Sequence, residues 1–127
     1  MAIIGRTTTD GPESRALGGT LTGEDYMSLV ASKDVSARAA AASRDDAPLG
    51  ALLAFAQDPK VEVRVAVASN PAIGRAASIA ETLAQDKNAD VARALVANSA
   101  VHLAAIARIA DVGPRAVRAL AQGRLLA

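Results

Sequence analysis

The segment Asp58-Pro59-Lys60-Val61-Glu62-Val63-Arg64-Val65-Ala66-Val67-Ala68-Ser69-Asn70-Pro71 recurs along the chain. Weaker copies begin at Asp34 and Asp86, and a truncated copy begins at Asp111. A unit that returns every 25–28 residues or so cannot bury its apolar face alone; it does so by stacking on its neighbours. This spacing therefore predicts an all-α, right-handed helical-repeat solenoid of about four short repeats.

Each unit reads as two helices. Leu52–Asp58, Ala80–Asp86 and Ile106–Asp111 carry apolar residues three and four apart and break at an Asp, the pattern of a helix closing on a turn. Second helices are expected over Val35–Ser43, Val61–Ser69, Val91–Asn98 and Ala116–Gln122. Pro59 after Asp58 is placed as a first-turn proline behind an N-cap, and Pro114 after Gly113 similarly. Thr22-Gly23-Glu24-Asp25 reads as a capping box opening the first ordered helix. Asp45-Asp46 is expected to cap the helix entered at Pro48, and Asn70-Pro71 to turn the chain between helices. Residues 1–20 hold Gly, Thr and Pro without a hydrophobic period, which predicts a flexible tail dispensable for folding, followed by the repeat domain over 21–127.

Composition narrows the chemistry. The apolar share is 51% but the aromatic share only 2%, so the core is built from Ala, Val, Leu and Ile and suits closely spaced helices. The bias toward Ala and Arg is that of GC-rich genomes, such as actinobacteria and their phages. Fourteen basic and 13 acidic residues leave a net charge of +1, too small for a global field toward nucleic acid or anionic membrane. The absence of Cys excludes disulfides, thiolate metal sites and Cys nucleophiles. With neither a signal-like N-terminus nor a membrane-length apolar run, a cytoplasmic location is expected, with no membrane contact.

The run Val63-Arg64-Val65-Ala66-Val67-Ala68-Ser69-Asn70-Pro71 resembles the core motif of the leucine-rich repeat variant family, and its Asp58…Arg64 spacing is similar to that of HEAT repeats. The third copy, Val91–Asn98, shifts the Arg by one position and has Ser99 in place of Pro; the first has Arg44-Asp45-Asp46 in place of Asn-Pro. The resemblance implies a helical solenoid serving as an interaction scaffold and names no partner. The family's iron–sulfur variety requires Cys and does not apply.

Arg38, Arg64, Arg93 and Arg118 fall at similar points of successive second helices. Stacked as a column, they form either a basic strip for phosphates or an acidic partner, or a structural ladder paired with Asp34, Asp58, Asp86 and Asp111, the commoner outcome for charge arrays. His102 is the single His and has no partner for metal or catalysis, so a structural or surface role is expected. No nucleophile–base pair or phosphate loop is present, and no cofactor is expected. At the C-terminal end Val117, Leu120, Leu125 and Leu126 lack a following helix, which predicts a homodimer interface or partner surface there. The function expected is a non-enzymatic protein–protein interaction module, an adaptor or inhibitor; the alternative is a nucleic-acid or phosphate-binding solenoid using the Arg column.

Overall fold

The computed structural model describes residues 11–127, and the regular structure among them is all helical. A short helix α1 (Pro12–Arg15) is followed by α2 (Gly23–Val30), α3 (Val35–Ala42), α4 (Leu49–Ala56), α5 (Val61–Ala68), a 3-10 helix (Pro71–Arg75), α6 (Ala77–Ala84), α7 (Ala89–Ala97), α8 (Leu103–Val112) and α9 (Arg115–Leu126).

Local sequence explains most of the boundaries. Thr22 accepts the Asp25 amide while the Asp25 carboxylate accepts the Thr22 amide, completing the capping box that starts α2. Asp34 caps α3 by accepting from the Ser36 and Ala37 amides, and Asn88 caps α7 through the Asp90 amide. Asn70 caps the 3-10 helix through the Ala72 amide, with Pro71 in the first turn, where its missing N–H costs nothing. Pro59 is not a first-turn proline: Lys60 is the N-cap of α5, and Asp58 turns the chain just ahead by accepting the Lys60 amide at 2.9 Å. Pro114 is itself the N-cap of α9.

The helices associate in two series. α2, α4, α6 and α8 touch in order, and so do α3, α5, α7 and α9; α2–α3, α4–α5, α6–α7 and α8–α9 each touch as a pair. The first series contributes Leu29, Leu52, Phe55, Ile79, Leu83, Ile106 and Ile109 to the core, and the second contributes Val63, Val67, Val91, Leu95 and Val117. Fully covering an aliphatic or Phe side chain stabilises by about 1.5–3 kcal/mol. Ala41, Ala68, Ala92 and Ala121 are also fully covered and let helix backbones of the second series come close. Gly74 serves the same end: a Cβ there would stand 2.9 Å from the Ala100 carbonyl oxygen, so the 3-10 helix rests directly on the loop after α7.

The expected tail over residues 1–20 is corrected in its second half; residues 1–10 lie outside the described residues. α1 packs on α2 and α3, Ala16 is buried, and Arg15 pairs with Asp25 at 3.0 Å. A four-residue helix has no period to read. What holds it comes from far along the chain, as the contacts of Arg44 show.

Candidate functional site

Two sets of polar side chains fasten successive helix pairs, one at the first two junctions and the other at all three. The first is an arginine–aspartate set. On α3, Arg38 grips Asp58 with two hydrogen bonds, Nε to Oδ2 at 2.7 Å and Nη2 to Oδ1 at 3.1 Å, while its Nη1 donates to the Ser32 carbonyl at 2.7 Å. On α5, Arg64 repeats the arrangement, with Nε donating to Asp86 Oδ2 at 2.6 Å and Nη1 to the Asp58 carbonyl at 2.8 Å. Each arginine thus reaches forward to the acid of the following pair and backward to a carbonyl six residues before it. Arg38 and Asp58 are both 8% exposed, and their fork-to-fork geometry is the strongest form of such a pair. Burial acts to raise the Asp58 pKa, but the hydrogen bonds from Arg38 and the Lys60 amide outweigh it and hold the carboxyl below its usual value.

The second set binds backbone carbonyls. Asn70 Nδ2 donates to the Ala42 and Arg44 carbonyls at 2.9 and 2.8 Å, and Asn98 Nδ2 donates to those of Ala68 and Asn70 at 2.9 and 3.0 Å. Arginine takes the asparagine's place at either end. Arg44 donates to the carbonyls of Arg15, Ala16 and Gly19, and Arg124 to those of Leu95, Val96, Asn98 and Val101. Asn70, Asn98 and Arg124 close the otherwise open carbonyl ends of the preceding second-series helix, and Arg44 does so for α1. Arg44 also gathers a cluster with Asp46 and Tyr26. Its Nε donates to Asp46 Oδ1 at 2.9 Å and to the Tyr26 hydroxyl, which itself donates to Asp46 Oδ1. The Arg44 and Tyr26 hydrogen bonds push the Asp46 pKa down to about 2; burial, then the Asp46 hydrogen bond, push that of Tyr26 up to about 12. Asp46 therefore does not cap α4, whose N-cap is Pro48 with no side-chain bond.

The carbonyl-binding set fixes the register that the Asp recurrence misassigns. Arg38, Arg64 and Arg118 stand six residues before Arg44, Asn70 and Arg124; six before Asn98 stands Ala92, not Arg93. One residue turns a helix by about 100°. Ala92 is accordingly buried, and Arg93 points outward, paired with Asp90 at 2.8 Å on an exposed surface. The acids separate in the same way. Asp58 and Asp86 each precede a second-series helix by a turn, whereas Asp34 is a cap and Asp111 an exposed residue within α8. Val112 stands where a third acid would, six before Arg118, so Arg and Asp are replaced together, by Ala92 and Val112.

The four arginines therefore do not form a continuous basic strip. Arg38 and Arg64 are held inside the molecule and Arg93 is off the column. Arg118 differs: its Nε donates to the Gly113 carbonyl at 2.7 Å, and it makes no ion pair among the described residues. It lines an open cleft of about 370 Å³ with Asp86, Lys87, Arg108, Gly113 and Arg115. Sequence reasoning missed Lys87, Arg108 and Arg115, which lie on different helices and loops and share no motif.

The remaining candidates are placed as follows. Val117 is fully buried on the inner face of α9 and is not available to a partner, whereas Leu120 (52%), Leu125 (37%) and Leu126 (88%) are exposed. His102 is exposed at the N-cap of α8, and no group of three or more His, Asp or Glu suited to a metal is found among the described residues. No helix among them is long and apolar enough to cross a membrane. Tyr26 and Phe55 are both buried and offer no stacking surface. No protein-family model matches the chain, and neither a curated protein nor a solved structure matches it.

Proposed function

We propose that the chain is a right-handed helical-repeat solenoid of the leucine-rich-repeat-variant or HEAT kind, acting without catalysis as a protein–protein interaction module of the cytoplasm. The solenoid reading is supported by the orderly contacts of successive helix pairs and by the spacing of Arg44, Asn70, Asn98 and Arg124, which lie 26, 28 and 26 residues apart and bind equivalent carbonyls. The observation that carries the interaction reading is the contrast along the Arg column. Inner arginines pair within the chain, while the last one stands with three other cations in an open cleft. Such a cluster repels itself and gains most from an acidic partner.

The test is capture by immobilised protein at about 150 mM salt, with a nuclease-treated arm. A saturable, nuclease-resistant protein partner supports the proposal. Salt-dependent retention of nucleic acid with no protein retained would replace it by the nucleic-acid reading.

A further inference from the structure

Resting on that reading, we infer that the cleft between the end of α6, α8 and the start of α9 is the docking site for an acidic segment of a protein partner, with Arg118 gripping one of its carboxylates. Arg118 occupies the position at which Arg38 and Arg64 each hold an aspartate of the next helix pair. Its Nε is anchored on Gly113, so both terminal nitrogens, the fork that matches a carboxylate, have no partner among the described residues. Lys87, Arg108 and Arg115 line the same cleft, and none is ion-paired with a described residue. The single acid of the lining, Asp86, is already held by Arg64 at 2.6 Å.

Charge and shape choose among occupants. A two-fold pairing of this end with itself would set the cations of one copy against those of the other, which argues against the expected homodimer at this cleft. Head-to-tail stacking meets a covered surface, because α1 already packs on α2 and α3 at the opposite end. A nucleic acid would find no aromatic platform and a carboxylate in the wall. An acidic peptide needs only what the chain already provides for Asp58 and Asp86.

The probe is a fluorescein-labelled, end-capped peptide of Asp and Glu alternating with Ala, read by polarisation at about 50 mM salt. Wild-type protein should bind it and not its Asn/Gln counterpart. Loss of a forked, charge-assisted contact should weaken binding about tenfold or more in Arg118→Ala. Arg115→Ala should weaken it less, and Arg93→Ala, outside the cleft, not at all. Arg118→Lys keeps the charge without the fork and should fall between, with melting curves confirming that each variant folds.

Equal binding by wild type and Arg118→Ala, or no binding by wild type, overturns the site. So does tighter binding of inorganic phosphate or a DNA duplex lost in the same variants, or self-association lost in Arg118→Ala. A partner captured equally by wild type and Arg118→Ala would sink this cleft and leave the interaction reading standing. Capture by neither would sink that reading itself.

Discussion

Removing the Asp58 carboxylate should destabilise the protein far more than an exposed ion pair would. Asp58→Ala deletes two hydrogen bonds from Arg38 and one from the Lys60 amide, leaving a covered guanidinium with only the Ser32 carbonyl. Breaking a buried pair by removing one partner costs about 3–5 kcal/mol, whereas exposed pairs are worth 1 kcal/mol or so at most. The chain is small and water is never far from this pair, so the lower end, about 3 kcal/mol, is expected, with a fall in Tm of roughly 10–15 °C. Arg38→Ala should cost a similar amount. The decisive variant is the double substitution Arg38→Ala with Asp58→Ala, which removes the pair as Ala92 and Val112 do at the last junction. It removes both charges together, so its cost should be close to that of either single change, giving a coupling of about 2 kcal/mol or more. Urea unfolding followed by circular dichroism at 222 nm measures all three. Should Asp58→Ala not fold, Asp58→Asn, which retains an acceptor for the Lys60 amide, substitutes for it. Single costs that add to within about 0.5 kcal/mol would refute the argument that each charge exists for the other.

Deleting residues 2–19 should lower the melting temperature, opposite to the expectation from composition, because Arg44 then loses its acceptors at Arg15, Ala16 and Gly19; an unchanged melting curve would contradict these contacts. The Tyr26–Asp46 pair predicts pH dependence at both extremes. Asp46, depressed to about 2, contributes stability that is present above the ordinary Asp value near 4 and lost as pH falls through about 2. Tyr26, raised to about 12, contributes stability present below its ordinary value near 10 and lost as pH rises through about 12. Ultraviolet titration should accordingly show the single tyrosine ionising near 12 in folded protein, and ionisation near 10 would rule the contact out.

The helices were legible because their signals are local. Thr22, Asp34 and Asn70 carry short acceptors that meet backbone amides two or three residues on, and no tertiary contact is needed to read them. The Arg–Asp register was less legible. Aspartate is equally at home as a cap, in a turn just ahead of one, or on an exposed helix face, so aligning on Asp34, Asp58, Asp86 and Asp111 merges three roles. Aligning on Asn70 and Asn98 would have placed Ala92 in the column and moved Arg93 out of it. Arg124 gave no signal, since an arginine in the last turn of a helix ordinarily answers the helix dipole in solvent. Its four carbonyl partners all lie 23–29 residues away, beyond any local pattern.

The junction between α6–α7 and α8–α9 differs mechanically from the two before it. Those are fastened on both sides, by an arginine–aspartate pair reaching forward and an asparagine reaching back. At the last junction Ala92 and Val112 supply no fork, and the backward contacts of Arg124 all issue from one side chain. Tension applied from residue 127 therefore loads a single guanidinium before it reaches any ion pair between helix pairs. Once that grip slips, what holds α8 and α9 to α6 and α7 is apolar packing, through Ile106, Ile109, Val117 and Ala121. Under load from residue 127, the pair α8–α9 is therefore expected to detach before the pairs that an arginine–aspartate contact also holds.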